Sequence, residues 1–311
     1  MSADGWRLGP GDRDQPAGRV LAVVLDGYLA TFLAHEPGVR ADEDPEELHD
    51  ARVAVRRARS LLAAGRRVYP AEERELLGAL LRWMAGVTSP VRDLDVLRAD
   101  LPGLVARTSP ELSDGVEPLY AALDAERSTA RAALLAALDG ERYPVLVRRW
   151  RALGNVYRLG GGEPGPDAAR PAGSVADDLV WRAFRRARRA GKVAMATDDR
   201  NAWHDLRKAL KRYRYVVNAV APMYPKGTFG PVQRRLADLQ DTLGRLQDHH
   251  VQASMIERAG VATGGRAALA AGALADALHR DAEVAHGHCR EAWAHFDRPT
   301  VRRGLREAVG R

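Results

Sequence analysis

The sequence contains one cysteine, Cys289, and therefore has no pair that could form a disulfide or bind a metal ion through two thiolates. It contains no uninterrupted apolar run approaching the roughly 18 residues that a membrane-spanning helix needs. No segment sustains the alternation of apolar and polar residues that marks a half-buried strand. These absences exclude a disulfide framework and a thiolate metal site, and they predict an all-α protein with no membrane partner.

Lysine is also scarce, since only four of the 48 basic residues are lysines. The net charge of +7 and the pI of about 9.8 indicate an anionic partner, either nucleic acid, an anionic membrane or a free polyanion. Arginine offers a planar fork of donors that suits phosphate oxygens. The first twenty residues are polar and contain Gly and Pro, unlike a signal peptide, so we expect a cytoplasmic protein.

A charged segment occurs twice, beginning at His49 and again 155 residues later at His204. In each copy, basic residues follow the histidine at positions +3, +7, +8 and +10. On a helix, the histidine and the residues at +3, +7 and +10 lie within an arc of about 80°, opposite the apolar residues. The candidate binding residues of these two cationic stripes are His49, Arg52, Arg56, Arg57 and Arg59 in the first copy, and His204, Arg207, Lys208, Lys211, Arg212, Arg214 and Tyr215 in the second.

Each stripe has two interpretations. A solvated helix face usually interleaves acids with basic residues at i,i+4 spacing, but Asp50 and Asp205 are the only acids in the two segments. Because clustered cations repel one another unless an anion lies between them, the pattern favours phosphate binding over a solvated face. Tyr215 is the only ring on the stripes, which suits a ligand with phosphates and no bases to stack.

The interval of 155 residues relates other landmarks as well. Tyr69-Pro70 corresponds to Tyr224-Pro225, and the candidate helix cap Asp44 corresponds to Asp199. One interval shared by several landmarks indicates a tandem duplication. We therefore predict two tandem helical halves, related by a pseudo-two-fold axis, whose cationic stripes face each other and line one central cleft.

The predicted organisation is one domain over residues 18–309. A mobile N-terminal tail covers residues 1–17, the first helical half residues 18–158, a Gly- and Pro-rich linker residues 159–173, and the second helical half residues 174–311. The sequence also predicts a helix break at Ser89-Pro90 and a loop over residues 102–115. The helix after the linker, for which Ser174 is the predicted cap, is more basic than its counterpart in the first half.

The paired His-x-x-Arg-x-x-x-basic-basic-x-Arg segments, with Arg92-Asp93-Leu94-Asp95-Val96 and its partner Leu246-Gln247-Asp248, resemble the CHAD family, the histidine-bearing α-helical domain. The resemblance covers residues 18–309. It implies two four-helix halves around a basic cavity, binding of inorganic polyphosphate (with sulfate or phosphate as mimics in crystals) and a location on polyphosphate granules. Family members are often fused to a CYTH triphosphatase domain, whose Glu-x-Glu-x-Lys signature is absent here, so the resemblance also implies a triphosphatase or another polyphosphate-metabolising partner.

Three hypotheses for the function follow. The first is non-enzymatic polyphosphate binding, with no catalytic residues, no metal and no cofactor. The second is a nucleic-acid-binding protein that uses the same stripes on a duplex backbone. The third is a Mg²⁺-dependent polyphosphate-processing enzyme with the metal at Asp93, Asp95 and Asp248, although these aspartates could instead cap helices or pair with arginines. His249 and His250 are adjacent and point about 100° apart on a helix, which disfavours a shared metal.

Overall fold

A computed structural model describes residues 8–108, 113–159 and 164–311 of the protein. Within these residues every regular element is a helix, and the only extended pairing is an isolated antiparallel bridge between Pro16 and Pro171. The predicted all-α class is therefore confirmed. The mobility predicted for residues 1–7 concerns a segment outside the described residues.

Ten α-helices follow one another in the described part of the chain. They are α1 (Ala17–Ala41), α2 (Pro45–Ala64), α3 (Ala71–Ala106), α4 (Ser113–Asp139), α5 (Arg142–Leu159), α6 (Ala172–Thr197), α7 (Arg200–Val220), α8 (Gly230–Thr263), α9 (Gly265–Phe296) and α10 (Pro299–Ala308). Short 3-10 helices at Pro10–Asp14 and Ala221–Met223 precede α1 and follow α7. The two repeated segments of the sequence therefore lie on α2 and α7, which we call the motif helices.

The helices belong to two compact units. One unit contains the described residues up to Gly86, Ala137–Ala237 and His295–Arg311, and we call it the motif unit because it holds both motif helices. The second unit consists of Val87–Ala136 and Asp238–Ala294. Each unit includes residues from both predicted sequence halves. The predicted halves and their pseudo-two-fold relation remain predictions.

The core of the motif unit forms where the apolar faces of α2 and α7 pack against the helices that precede them, α1 and α6. Every apolar residue that the helical periodicity assigns to these two faces is buried. These residues are Ala54, Val55, Ala58, Leu61 and Leu62 on α2, and Leu206, Ala209, Leu210, Tyr213, Val216 and Val217 on α7. Because burial fixes the rotation of each helix about its axis, the cationic stripe lies on the side away from this core.

The helices α1 and α6 begin with reciprocal backbone hydrogen bonds. The amide of Ala17 donates to the carbonyl of Arg170 at 2.9 Å, and the amide of Ala172 donates to the carbonyl of Gln15 at 2.8 Å. These bonds satisfy amides that the start of a helix otherwise leaves without intrahelical partners. The segment before each helix therefore replaces a side-chain cap for the other helix.

This exchange accounts for two differences from the sequence-based expectations. The predicted cap Ser174 is wrong, because α6 begins at Ala172 with Pro171 as its cap residue and no side-chain cap bond. Residues 8–16 fall within the predicted tail, and the structure gives them a 3-10 helix and contacts with α6. Within this segment, Arg13 Nη2 lies 3.0 Å from Asp177 Oδ2 on α6.

The helix α3 is longer than the sequence predicts. It continues through Ser89-Pro90 and Pro102 to Ala106, so the predicted break and the predicted start of the loop are wrong. A proline inside a helix removes one backbone hydrogen bond and costs about 3 kcal/mol. Met84 and Val91 on either side of the first proline are buried, and burial of such side chains contributes about 1.5–3 kcal/mol each. Residues 109–112 of the predicted loop lie outside the described residues.

Among the described helices, α1 has the length and apolar character of a membrane-crossing segment, with a mean hydropathy of 1.5 in its most apolar stretch. In the folded motif unit, 61% of that stretch is buried. Trp150 of α5 packs on Phe32 with 5.8 Å between ring centroids, and its indole nitrogen donates to the carbonyl of Leu25 at 3.0 Å. Core packing therefore accounts for the apolar sequence of α1.

The second unit has a separate apolar core, formed by segments of α3, α4, α8 and α9 and including Leu97, Leu123 and Ile256. Several of its arginines are paired with carboxylates of the same unit. The pairs are Arg127–Asp95 at 2.6 Å, Arg98–Asp124 at 2.7 Å and Arg107–Asp281 at 2.6 Å. These arginines are thus neutralised within the folded chain.

Candidate functional site

Each motif helix begins at an aspartate cap, as the sequence predicts. Asp44 accepts a hydrogen bond from the amide of Glu46 at 2.9 Å, and Asp199 accepts one from the amide of Ala202 at 3.0 Å. The caps are separated by the same 155 residues as His49 and His204. Because a cap fixes the residue at which a helix starts, the two cationic stripes follow their caps in the same register.

The stripe residues of α2 are half-buried: His49, Arg52, Arg56, Arg57 and Arg59. Arg52 Nη1 donates to the carbonyl of Ala85 at 3.4 Å. Arg56 and Arg57 each bury the Nε atom without a hydrogen-bond partner among the described residues. A buried donor without a partner carries an energetic cost, which an incoming acceptor that rotates the guanidinium would relieve.

Arg57 lies beside α1, on the flank of the α2 stripe. Burial raises the pKa of the Tyr28 phenol on α1 to about 12, and the guanidinium of Arg57 acts in the opposite direction. On the helix, position +8 lies about 80° from the histidine, on the opposite side from positions +3, +7 and +10. Position +8 therefore supplies positive charge at the edge of the stripe.

The stripe on α7 is more exposed at its start than at its end. His204 and Lys208 are exposed, whereas Arg207 between them and the later stripe residues Lys211, Arg212 and Arg214 are half-buried. Lys208 Nζ lies 2.7 Å from Asp205 Oδ1, and this lysine is the main cause of the lowered pKa of Asp205. One acid of the repeated segment thus neutralises the first lysine of its own stripe.

Tyr215 is buried, with 5% of its surface exposed. The guanidinium of Arg214 lies 5.4 Å from the centroid of its ring, in a cation–π contact. Tyr215 therefore supports Arg214 and does not offer its ring to a ligand on the solvent side of the stripe.

The two stripes come together at Arg59 of α2 and Arg212 of α7, and these two helices are in contact. Burial lowers the pKa of Arg212, and the nearby guanidinium groups of Arg186 and Arg59 lower it further. Burial also lowers the pKa of Arg59, with a further contribution from Arg82. We call Arg59, Arg82, Arg186 and Arg212 the arginine cluster; its members come from α2, α3, α6 and α7.

None of the four arginines of the cluster forms an ion pair with a carboxylate within residues 8–108, 113–159 and 164–311, although Arg186 lies close enough to Asp205 to help lower the pKa of that carboxyl. Arg59 and Arg212 are half-buried, whereas Arg82 and Arg186 are exposed. Charges of one sign repel one another, and the partial burial of Arg59 and Arg212 weakens the solvation that would screen them. A polyanion placed over the cluster would remove both penalties and would accept charge-assisted hydrogen bonds from several guanidinium groups. The arrangement can therefore hold phosphate or sulfate oxygens.

Arg82 and Arg186 were not among the predicted binding residues. Both lie outside the repeated segment, on α3 and α6. Arg186 belongs to a dense run of arginines in the helix after the linker, which is a signal that the sequence does contain. Arg82 stands alone between Leu81 and Trp83, and only the packing of α3 brings it to Arg59.

The aspartates considered for a magnesium site belong to the second unit. Asp95 Oδ1 accepts a hydrogen bond from Arg127 Nε at 2.6 Å, and Asp93 and Asp248 also have interaction partners. Among the residues that the structure describes, no group of three or more His, Cys, Asp or Glu side chains is placed to hold a metal ion. For Asp95, the structure favours the interpretation in which the carboxylate pairs with an arginine.

Known proteins similar to this chain point to one family. A model of the CHAD domain matches residues 23–257. Two curated relatives, both uncharacterized proteins of Mycobacterium tuberculosis, are 28% identical to this chain over 242 residues. The match covers 75% of this chain and 45% of each relative, so the chain spans about half the length of the curated relatives it matches.

Two solved structures share the fold. The CHAD domain from the plant Ricinus communis has a TM-score of 0.68 at 22% identity, and the match covers 98% of this chain and 96% of that chain. PptA from Streptomyces chartreusis has a TM-score of 0.66 at 20% identity, and the match covers 90% of this chain and 99% of that chain. At these identities, the two structures establish a common fold.

Proposed function

The chain belongs to the CHAD domain family, and from this premise we propose that it binds inorganic polyphosphate without catalysing a reaction on it. The two motif helices and the adjoining arginines hold successive phosphates of the chain by charge. The location that goes with this proposal is the cytoplasm, on polyphosphate granules. A triphosphatase or another enzyme of polyphosphate metabolism is the proposed protein partner.

The observation that carries this proposal is the arginine cluster. It joins the stripe of α2 to the stripe of α7 through Arg59 and Arg212, and none of its arginines forms an ion pair with a carboxylate in the described ranges. A linear polyanion can neutralise several such groups at once and release its own counter-ions, which favours binding. A single small anion would neutralise only part of the cluster.

The stripes suit a polymer of phosphates better than a nucleic acid. Proteins that bind single strands stack bases on exposed aromatic rings, and the one ring of the two stripes, Tyr215, is buried. A duplex requires only backbone contacts, so the nucleic-acid alternative is tested directly by competition. If DNA or RNA displaced polyphosphate at equal phosphate concentration, the nucleic-acid alternative would replace the proposal.

The proposal is tested by titrating long-chain polyphosphate against the wild type and the variant Arg56→Ala/Arg59→Ala/Lys211→Ala/Arg214→Ala. Because hydrogen bonds to charged groups contribute about 1.5–3 kcal/mol each, we expect the variant to bind at least about 100-fold more weakly. Binding by the wild type should also fall steeply as salt is added. A charge-matched control replaces four arginines of the motif unit outside the stripes: Arg148, Arg234, Arg298 and Arg303.

Equal affinity of the wild type and the stripe variant would overturn the proposal. Equal loss in the stripe variant and in the control would show that net charge, and not the stripes, drives binding. Incubation with Mg²⁺ separates binding from catalysis: phosphate release that disappears in Asp93→Asn would replace the non-enzymatic proposal with the processing enzyme.

A further inference from the structure

The helix α6 presents a face of exposed arginines that the repeated motif does not include. Arg182, Arg185, Arg186 and Arg189 lie within an arc of about 100° on this helix, and all four are exposed. The opposite face is buried and includes Val180 and Phe184. Because burial fixes the orientation of α6, the arginine face points away from the core of the motif unit.

One end of this face adjoins the arginine cluster. Arg186 belongs to the cluster and lies close enough to α7 to affect both Arg212 and Asp205. Arg182 lies one helical turn before Arg186, and side chains four residues apart on a helix are neighbours, with about 6 Å between Cβ atoms. The positive surface of the motif helices is therefore continuous with the face of α6.

The other end of the face reaches the turn that follows α2. Arg182 donates from Nε to the carbonyl of Asp178 at 3.1 Å, which directs its side chain toward the start of α6. Burial lowers the pKa of Arg182, and Arg66, Arg170 and Arg67 also lower it, against the opposing effect of Asp167. The turn after α2 and the turn before α6 are in direct contact, because the amide of Asp167 donates to the carbonyl of Arg67 at 2.8 Å. Arg66, which is exposed, therefore lies near Arg182.

Two neighbouring arginines have structural roles that separate them from Arg66 and Arg182. Arg67 Nε lies 2.8 Å from Asp167 Oδ2, and Arg170 Nη2 lies 3.1 Å from Asp178 Oδ2. These pairs fasten the turn before α6. Neither Arg66 nor Arg182 forms an ion pair with a carboxylate in the described part of the chain, so their charges are available to an external anion.

We propose that the phosphate-binding surface continues from Arg212 over Arg186 and Arg182 to Arg66, and that this extension holds the part of a polyphosphate chain that exceeds the two stripes. The inference rests on the proposed function. It adds that the affinity depends on the length of the polyphosphate chain. The extension runs in one direction only. By the interval of 155 residues, Arg182 and Arg186 correspond to Gly27 and Thr31 of α1, and Thr31 Oγ1 donates to the carbonyl of Gly27 within its own helix at 3.0 Å.

The test compares the full-length wild type with the variant Arg66→Gln/Arg182→Gln, titrated with tripolyphosphate and with long-chain polyphosphate. Glutamine removes the charge and keeps a polar, hydrogen-bonding side chain on the surface, and circular dichroism checks that the variant folds. We expect long-chain polyphosphate to bind about tenfold more weakly, with a shallower salt dependence because about two phosphate contacts are lost. Tripolyphosphate binding should be unchanged. The charge-matched control Arg148→Gln/Arg303→Gln should behave as the wild type.

Long-chain affinity equal to that of the control would overturn the extension, and so would an equal loss for tripolyphosphate, which would place both arginines in the central site. Neither result affects the proposed function, which is measured by the stripe variant. A wild type that fails to bind long-chain polyphosphate would overturn both proposals. If Arg66→Gln/Arg182→Gln does not fold, Arg66→Glu alone tests the extension, because Arg66 lies in an exposed turn, and unchanged long-chain binding would again overturn it.

Discussion

Two groups of arginines, one in each unit of the molecule, have opposite surroundings. In the second unit, Arg127, Arg98 and Arg107 are each held by a carboxylate within 2.7 Å. In the motif unit, which also contains paired arginines, the arginine cluster comes from four helices and forms no ion pair with a carboxylate among the described residues. An arginine-rich composition alone does not distinguish these uses. The distinguishing feature is whether the fold supplies the acid or leaves the charge for a partner outside the chain.

The contrast between the two groups is tested most directly by introducing an acid into the arginine cluster. Arg186→Glu places a carboxylate beside Arg212, where it should pair with that arginine and repel an anionic polymer. Because like-charge contacts at an interface cost several kcal/mol, we expect polyphosphate to bind about 1,000-fold more weakly, while the melting temperature stays equal or rises. Calorimetric titration and thermal unfolding measure the two effects.

Arg303→Glu makes the same change of net charge on α10 and serves as the control. If both variants lost the same affinity, the arginine cluster would have no special role in binding. A fall in melting temperature confined to Arg186→Glu would show that Arg186 supports the fold, which contradicts its assignment to the binding surface.

The opposite experiment removes a paired arginine from the second unit. The side chains of Arg127 and Asp95 are 17% and 7% exposed, so Arg127→Ala leaves a buried carboxylate without its cation. Loss of one partner of a buried pair is strongly destabilising, and we expect unfolding free energy to fall by about 3 kcal/mol. Denaturant unfolding measures this loss, and polyphosphate affinity of the folded protein should not change.

Arg107→Ala provides a graded comparison within the same unit. The side chains of Arg107 and Asp281 are 50% and 31% exposed, and pairs of this exposure contribute about 1 kcal/mol or less. Equal destabilisation by the two variants would contradict the view that burial, and not pairing alone, makes the Arg127–Asp95 contact important.

The smallest effect is expected from the one acid that pairs within a cationic stripe. Asp205→Asn releases Lys208 and removes a negative charge next to the ligand. Since exposed pairs are weak, we expect polyphosphate to bind about twofold to threefold more tightly at low salt, with the gain lost at high salt. Glu141→Gln removes an exposed carboxylate between α4 and α5 and is the matched control. Weaker binding by Asp205→Asn would mean that this carboxylate orients Lys208 for the ligand.

The sequence predicts the motif helices well because their signals are local. Helical periodicity identifies the buried faces of α2 and α7, and the caps Asp44 and Asp199 mark where each helix starts. The prediction of a helix break at Ser89-Pro90 is wrong because it uses proline as a local signal. The burial of side chains on both sides of this proline is a property of the folded chain. Sequence rules count the lost hydrogen bond of Pro90 and have no access to the packing that offsets it.

The candidate site shows the same limit. Spacing identifies the stripe residues, but Arg82 contributes only because α3 packs beside α2, which no interval in the sequence expresses. Tyr215 shares the angular position of the stripe, yet it is buried, since neighbouring elements cover part of the face that an isolated helix would leave open. Periodicity gives the direction of a side chain, and tertiary packing decides whether that direction is accessible.

The exchange of backbone hydrogen bonds between the starts of α1 and α6 has a consequence for biosynthesis. The acceptor for the first amide of α1 is the carbonyl of Arg170, so this amide has no backbone acceptor until Arg170 has left the ribosome. The acceptor for the amide of Ala172 is the carbonyl of Gln15, which lies far earlier in the chain. The motif unit therefore closes as a late, long-range event, and a nascent chain that stalls before residue 170 exposes the start of its most apolar helix to the cell's chaperones.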